Sequence, residues 1–215
     1  MTEREKILRL LAYRTVLQRF RSMGFIRVFS DNIAEVLDIS SSLVRKDFSA
    51  FGISGTQKGG YHIEDILARI QGIIGFSEPQ RVIIVGAGRI GQALMHYTGF
   101  RSSGIEIVAC FDIDNARQNP AAEIPVLPME LLEDFIREQK VRIAVLAVPE
   151  SSALTCYDRL VRAGIRGVLN FTPHKLKGDA SIAVSNINIE HELTNLIYLV
   201  NQQWQVPSER HTIIS

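Results

Sequence analysis

The stretch "VIIVGAGRIGQAL", residues 82–94, decides the fold of the larger part of the chain. Its apolar run ends in Gly86, Gly88 and Gly91, which form the pattern G-x-G-x-x-G. Between a strand and a helix, the first glycine allows a tight turn, the second admits a pyrophosphate, and the third lets the helix pack closely on the strand. The helix N-terminus then faces the phosphates. The pattern predicts a dinucleotide site; the alternative is a glycine-rich turn without a ligand.

An acidic residue in the next apolar run favours the dinucleotide. The run "ACFDID" places Asp112 twenty-one residues after Gly91, where a carboxylate accepts hydrogen bonds from an adenosine ribose. Because a carboxylate there would repel a 2′-phosphate, we expect NAD rather than NADP as the cofactor.

Residues 79–186 alternate between apolar runs and helical stretches. The apolar runs are "RVIIVGAG", "IEIVACFDID", "RIAVLAVP" and "GVLNFTP". Continuous apolar strands are buried on both faces, and strand–helix alternation is typical of a parallel sheet. The predicted fold class is therefore α/β, with a Rossmann-type doubly wound parallel sheet forming an NAD(H)-binding domain over residues 79–186.

Residues 1–78 show helical spacing instead, with Ser30 as the expected N-cap of the second helix. The third helix, in "SSSLVRKDFSAF", presents a polar outer face that consists of Ser41, Ser42, Arg45, Lys46 and Ser49. Two short helices joined by a tight turn are typical of a helix-turn-helix, and "GISGTQKGGY", with Lys58 near its tip, is typical of a wing. We therefore predict a winged-helix DNA-binding domain; the alternative is a three-helix bundle with a surface loop.

Charge and composition agree with a nucleic-acid partner inside the cell. Residues 1–63 carry ten Lys and Arg against six Asp and Glu, whereas the rest carries fourteen against seventeen, so a polyanion would meet the N-terminal third. The two cysteines lie far apart and form neither a metal pair nor a disulfide framework. The first residues mix charges with apolar residues, unlike a signal peptide. We expect a soluble, cytoplasmic protein with no metal and no membrane span.

An enzyme would need a general acid or base and a domain to hold a second substrate. The candidate histidines, His62, His96, His174 and His191, have no obvious acidic partner in the sequence, and "HELTN" misses the zinc pattern H-E-x-x-H. No substrate domain remains once residues 1–78 are assigned to DNA. We therefore predict no catalytic residue and no enzymatic activity.

Residues 187–206 form the third predicted segment, a C-terminal helix with apolar residues at helical spacing. Such a helix can fold back on its own sheet or reach a second subunit. A helix-turn-helix protein that reads a two-fold operator usually works as a dimer, which favours a dimerisation helix.

In this order of domains the sequence resembles the Rex family of bacterial redox-sensing repressors. The likeness is carried by "SSSLVRKDFSAFG" with the wing "GGY", "VGAGRIGQAL…YTGF", "ACFDID" and "LAVP…GIRGVLNFTP". The resemblance implies a homodimer in which the last helix is swapped between subunits. It also implies that NAD+ permits binding to a palindromic operator and that NADH releases the DNA.

The resemblance also implies roles for single residues. Arg45 and Lys46 would lie in the major groove, and Lys58 with the wing near the minor groove. The residues implied for the adenosine and pyrophosphate part of the cofactor are Gly86, Ala87, Gly88, Arg89, Ile90, Gly91 and Asp112. The residues implied for the nicotinamide part are Tyr97, Ala147, Val148, Pro149 and Thr172.

Three departures from the family pattern fall where the two cofactor forms must be told apart. In the family, an arginine in the first helix can pair with an aspartate just before the last helix. Here the arginine position is Thr15 and the aspartate position is Asn188, and the aromatic residue that often follows the aspartate is Ile189. Because both partners of the charge pair are replaced together, neither charge is left without its partner. We hypothesise a weakened or rewired redox switch; the alternative is drift, with Arg14 taking the role of the missing arginine.

Two other classes of protein stay open at this point. An NAD-dependent oxidoreductase with a helical N-terminal appendage would show hydride transfer to a small substrate. A CoA- or nucleotide-binding regulatory module is the other alternative, because this Rossmann variant also resembles CoA-binding domains.

Overall fold

The computed structural model describes residues 3–55, 59–74 and 78–204, and the chain divides into two compact units, Met1–Glu78 and Pro79–Ser215. The elements of the first unit are α1 (Glu3–Ser22), β1 (Arg27–Val28), α2 (Ser30–Leu37), α3 (Ser41–Ala50), β2 (Tyr61–His62) and α4 (Ile63–Ile74). Strands β1 and β2 pair antiparallel at the base of the wing. The apolar faces of the helices meet in one core, which includes Leu10, Leu17, Ile33, Val44, Phe48, Ile66 and Ile70. The predicted winged-helix arrangement is confirmed.

The start of α2 differs from the sequence-based expectation. The N-cap is Phe29 and not Ser30, which is the first residue inside the helix. The side-chain oxygen of Asn32, in the first turn, reaches back and accepts a hydrogen bond from the Phe29 backbone N–H at 3.0 Å, which anchors the helix start without a serine cap. The Ser30 hydroxyl is buried and pairs with an arginine instead, as described below.

The second unit is a six-stranded parallel sheet with helices on both faces. Its strands are β3 (Gln80–Val85), β4 (Ile105–Asp112), β5 (Val126–Pro128), β6 (Ile143–Leu146), β7 (Gly167–Asn170) and β8 (Ala183–Asn186), in the spatial order β5-β4-β3-β6-β7-β8. Its helices before the C-terminal one are α5 (Arg89–Met95), α6 (Gly99–Ser102), α7 (Leu132–Glu138) and α8 (Glu150–Ala163). Alternate residues of β3 enter two separate cores, with Ile83 and Val85 on one face and Val82 and Ile84 on the other. The predicted doubly wound Rossmann-type sheet is confirmed.

The two edge strands, β5 and β8, were not predicted. Both are short, of three and four residues; the apolar run around β5 is interrupted by Pro125 and Pro128, and β8 mixes apolar with polar residues. An edge strand is buried less completely than a central one, so its sequence carries a weaker signal.

The C-terminal helix α9 (Ile189–Trp204) presents a row of exposed apolar side chains. Exposed fractions range from 44% for Val200 to 60% for Ile189, and Leu193, Leu196 and Ile197 lie between them. Contiguous exposed apolar surface of this kind usually marks an interaction site.

Among the described residues, no helix is long and apolar enough to cross a membrane.

Candidate functional site

Predicted cofactor residues from four strands lie at one edge of the sheet of the second unit. Gly86 follows β3, Asp112 ends β4, Ala147 follows β6, and Thr172 lies two residues beyond β7. Because the strands are parallel, their carboxyl ends meet at the same edge. The strand order reverses between β3 and β6, and doubly wound folds bind ligands in the crevice at such a switch point.

Two of the three glycines are required by contacts within the protein. Gly86 has φ +103°, and a Cβ there would collide with the Ala147 carbonyl oxygen. A Cβ on Gly91 would collide with the Gly86 carbonyl oxygen, so this glycine allows α5 to approach β3. The roles expected for these two positions therefore agree with the packing.

Gly88 is the glycine that leaves room for a ligand. It is the N-cap of α5, and a Cβ there would meet only an Arg117 nitrogen, at 3.8 Å. The first turn of a helix leaves backbone N–H groups without intrahelical acceptors. Space beside the backbone and unpaired N–H groups fit a pyrophosphate at this position.

Asp112 is 6% exposed and already bonded to the glycine loop. One carboxylate oxygen accepts a hydrogen bond from the Ala87 N–H at 2.6 Å, and the other accepts one from the Asp114 N–H at 2.8 Å. An ionised carboxylate offers about four acceptor sites, so capacity remains for a ribose hydroxyl. The predicted acid therefore fixes the shape of the loop as well as fitting an adenosine ribose.

Arg117 is a candidate ligand-binding residue that the sequence analysis missed. Its guanidinium lies 3.5 Å from Asp112 Oδ2 and 3.2 Å from Asp114 Oδ2, and it faces the open side of Gly88. It is 46% exposed, so a phosphate could reach it. The sequence shows a basic residue five positions after Asp112, but it does not show that the short 3₁₀ turn Asn115–Arg117 directs the Arg117 side chain back to the glycine loop.

The residues predicted on the nicotinamide side have different environments. Ala147 and Val148 are half-buried, and exposed Pro149 is the N-cap of α8. Thr172 is buried, and both its N–H and its hydroxyl donate to Asn170 Oδ1, at 3.0 and 2.8 Å. Tyr97 is 59% exposed, and its ring packs edge-to-face on Phe100. Arg89 and Ile90 are exposed on the first turn of α5.

The predicted DNA-reading helix α3 has its polar face outward. Ser40 caps the helix by accepting the Leu43 N–H at 3.2 Å. The exposed residues on the predicted face are Ser42, Arg45, Lys46 and Ser49, whereas Ser41 is half-buried. Lys58, predicted at the wing tip, lies outside the described residues.

Arg45 is exposed, and its guanidinium has a partner within the protein. Its Nη1 donates to the Ser30 hydroxyl at 2.9 Å, and Ser30 is only 7% exposed. The contact joins α3 to the first residue of α2. A side chain that is already held loses less conformational entropy when it binds a partner.

A buried ionic cluster at Asp47 was also missed. Arg9 donates to both carboxylate oxygens, at 2.7 and 2.9 Å, and the Tyr13 hydroxyl donates to Oδ2 at 2.7 Å. Burial by itself raises the pKa of the Asp47 carboxyl, but the hydrogen bonds from Arg9 and Tyr13 and the Arg9 charge outweigh it, so the pKa lies below its usual value. Burial, with the bond to Asp47, raises the pKa of Tyr13. The cluster fixes α3 against α1.

The residues that depart from the family pattern have local partners. The Thr15 hydroxyl donates to the Leu11 carbonyl within α1, at 3.2 Å. Asn188 caps α9, because its side-chain oxygen accepts the His191 N–H at 2.9 Å. Arg14, the alternative to the missing arginine, has a buried Nε without a hydrogen-bond partner.

In the described part of the chain, no group of three or more His, Cys, Asp or Glu side chains could hold a metal ion.

Comparisons with known families match the two units separately. Residues 5–49 match the family profile "Putative DNA-binding protein N-terminus", and residues 77–174 match "CoA binding domain". The second match fits the alternative of a CoA-binding module as well as a dinucleotide site.

Comparisons over the whole chain are more specific. A protein of Clostridioides difficile (strain 630) named "Redox-sensing transcriptional repressor Rex" is 37% identical over 177 residues, which cover 82% of this chain and 84% of that protein. The solved structure "Crystal structure of RSP in complex with beta-NAD+ and operator DNA" superposes with a TM-score of 0.86, at 32% identity and 94% coverage of both chains. A structure of RSP in complex with beta-NADH gives a TM-score of 0.82, at 31% identity, covering 94% of this chain and 96% of that one. The chain therefore belongs to the Rex family of redox-sensing transcriptional repressors.

Proposed function

We propose that this chain is a homodimeric transcriptional repressor of the bacterial cytoplasm, which binds a palindromic operator and responds to the balance of NADH and NAD+. The observation that carries the proposal is the combination of an exposed polar face on α3 with a glycine loop closed by Asp112. A relative was crystallised with beta-NAD+ and operator DNA, and also with beta-NADH. The nicotinamide ring supplies the signal, since it exists in an oxidised and a reduced form.

The cofactor would lie along the carboxyl edge of the sheet in residues 79–186. Gly88 leaves space for the pyrophosphate, and Asp112 offers acceptors to the adenosine ribose. Arg117 adds a positive charge beside the phosphates. The sides of the nicotinamide pocket would come from Ala147 and Thr172, with the remaining predicted residues around them.

The DNA-binding domain, residues 1–78, would read the operator with α3. Arg45, which donates to Ser30, would reach a guanine edge, where a bidentate arginine contributes about 1–3 kcal/mol of discrimination. Lys46 would lie beside Arg45 in the major groove, and the wing residue Lys58 would contact phosphates near the minor groove. Replacing Arg45 by Ala should weaken specific binding and relax the preference at one base pair per half-site. Equal losses on specific and random DNA would assign Arg45 to phosphate contact instead.

The dimer would form through the C-terminal helix, residues 187–206. Its exposed apolar row, from Ile189 to Val200, is the kind of surface that a second subunit covers. In the proposed dimer this helix is swapped between subunits, as the family resemblance implies. Sedimentation of the protein with Leu193→Glu tests this role, and Gln202→Glu, on the opposite side of the helix by helical spacing, is the control.

The redox switch itself would be weakened or rewired. Neither Thr15 nor Asn188 carries a charge, and each already has a hydrogen bond within its own helix region. A ligand shifts a conformational equilibrium only by its differential affinity for the two states. Loss of a charge pair that distinguishes those states would reduce the response to NADH.

The experiment that tests the proposal is fluorescence anisotropy of a labelled palindromic operator. NADH is titrated over a fixed NAD+ background, and random DNA serves as the control. Release of the operator by NADH supports the redox-sensing repressor, whereas failure to prefer the operator over random DNA would refute it. Tight operator binding that ignores NADH would refute the redox response and indicate that the switch answers to another signal.

A CoA-binding regulator is the second candidate, favoured by the "CoA binding domain" match over residues 77–174. Competition among NADH, NAD+, ADP and CoA separates the two. If the protein prefers CoA over both nicotinamide dinucleotides, its regulatory ligand is an acyl carrier and not a redox cofactor.

A further inference from the structure

Two asparagines join the ends of neighbouring strands near the candidate nicotinamide pocket. Asn170 ends β7 and is fully buried, and Asn186 ends β8 opposite it in the ladder. Asn170 Nδ2 donates to Asn186 Oδ1 at 2.8 Å. We call Asn170 and Asn186 the asparagine bridge.

The bridge holds the loop that carries Thr172. Asn170 Oδ1 accepts both the N–H and the hydroxyl of Thr172, and its Nδ2 also donates to the His174 carbonyl at 2.8 Å. Asn186 closes the far end of the loop, since it accepts the Leu176 N–H and donates to the Leu176 carbonyl, both at 3.0 Å. Each hydrogen-bonding group of the Asn170 amide therefore has a partner. Movement of Thr172 would have to break or rearrange these bonds.

The same bridge lies directly before the C-terminal helix. One residue after Asn186, the Ile187 N–H donates to the Asn170 carbonyl at 2.8 Å. The next residue, Asn188, caps α9 through the His191 N–H, and the Glu192 N–H donates to its carbonyl at 3.2 Å. Hydrogen bonds from Thr172 to Asn170 and from Ile187 to Asn170, with the peptide link between Ile187 and Asn188, thus lead to the first turn of α9.

We propose that the asparagine bridge is a positioning element that transmits the state of the nicotinamide pocket to the first turn of α9. This rests on the proposed function, because it requires a nicotinamide dinucleotide beside Thr172. A fully paired buried polar network is rigid and a half-satisfied one is costly, so its members are expected to move together. A ligand that displaces Thr172 therefore shifts Asn186 and the start of α9 together.

The test is hydrogen–deuterium exchange of the full chain with and without NADH. The readout is the exchange rate of the His191 and Glu192 amides, whose acceptors belong to Asn188. In the unsubstituted protein we expect NADH to change these rates by about fivefold or more, the lower end of typical coupling between sites. In Asn186→Ala the change should fall below about twofold, while NADH still binds.

Tyr157→Phe is the matched control. The Tyr157 hydroxyl donates to the Lys177 carbonyl at 2.9 Å, just beyond the same loop but outside the bridge. This variant loses one hydrogen bond at the loop and should keep the full NADH response at α9. If Asn186→Ala does not fold, Asn186→Asp is used, which keeps the acceptor for Asn170 and Leu176 but loses the donor to the Leu176 carbonyl; its response should also fall.

Three results would overturn the bridge as a transmitter. NADH could bind without altering exchange at α9, Asn186→Ala or Asn186→Asp could keep the full response, or Tyr157→Phe could lose as much as the bridge variants. An exchange response without any effect of NADH on operator affinity would refute the proposed redox switch while supporting the bridge. No binding of NADH at all would refute both.

Discussion

Removing the Asp47 carboxylate should destabilise the first unit by about 3 kcal/mol. Asp47→Ala deletes three hydrogen bonds of 2.7–2.9 Å and leaves the Arg9 guanidinium and the fully buried Tyr13 hydroxyl without their acceptor. Breaking a buried ion pair by removing one partner costs about 3–5 kcal/mol. Arg9 is 21% exposed, so water partly replaces the carboxylate and the lower end applies.

Native-state hydrogen exchange measures this effect on α1 and α3 within the full chain. A loss of about 3 kcal/mol lowers the protection of their amides by roughly 100-fold, at 1.36 kcal/mol per factor of ten. Tyr13→Phe removes a single hydrogen bond and should cost about 1–2 kcal/mol. The control is Glu64→Gln, which breaks the exposed pair between Arg21 and Glu64, of 3.5 Å, and should cost less than about 1 kcal/mol.

The reasoning fails if Asp47→Ala costs no more than Glu64→Gln. That result would mean that the Arg9 guanidinium finds water or another acceptor at no net loss. It would also remove the cluster as the element that fixes α3 against α1.

Three further predictions concern pH, the glycine loop and the switch. The pKa of Asp47 is lowered in the folded protein. The ionised carboxylate therefore stabilises the fold above the unfolded pKa of about 3.9, and this stabilisation is lost as the pH falls through the folded pKa. Below about pH 4, the free energy of unfolding of Asp47→Asn should depend less steeply on pH than that of the unsubstituted protein. Gly91→Ala should abolish NADH binding in calorimetry because its Cβ collides with loop backbone, whereas Gly167→Ala, with only an ordinary 3.7 Å contact, should retain it. The double variant Thr15→Arg with Asn188→Asp should increase the effect of NADH on operator affinity. Aspartate caps a helix as well as asparagine does, so the start of α9 should be kept. An unchanged response to NADH would contradict the rewiring hypothesis.

The sequence by itself determined the order of the two units and the form of the glycine loop. Gly86, Gly91 and Asp112 could be assigned because their roles depend on spacing along one strand–helix–strand unit, and the packing agrees with the roles given to both glycines. The polar face of α3 followed from helical periodicity in the same way. Local spacing encodes these features, so they can be read without the rest of the fold.

Only the tertiary structure decided which polar side chains meet. The sequence analysis gave Asp47 no role, yet its side chain is buried against a residue thirty-eight positions earlier, Arg9. Ser30 was expected to cap its own helix and binds Arg45 of the next one instead. The pairing of Asn170 with Asn186 depends on an edge strand that the sequence pattern did not show. Such contacts arise when separate elements pack together, and a buried polar group then takes the partner that the packing brings within reach.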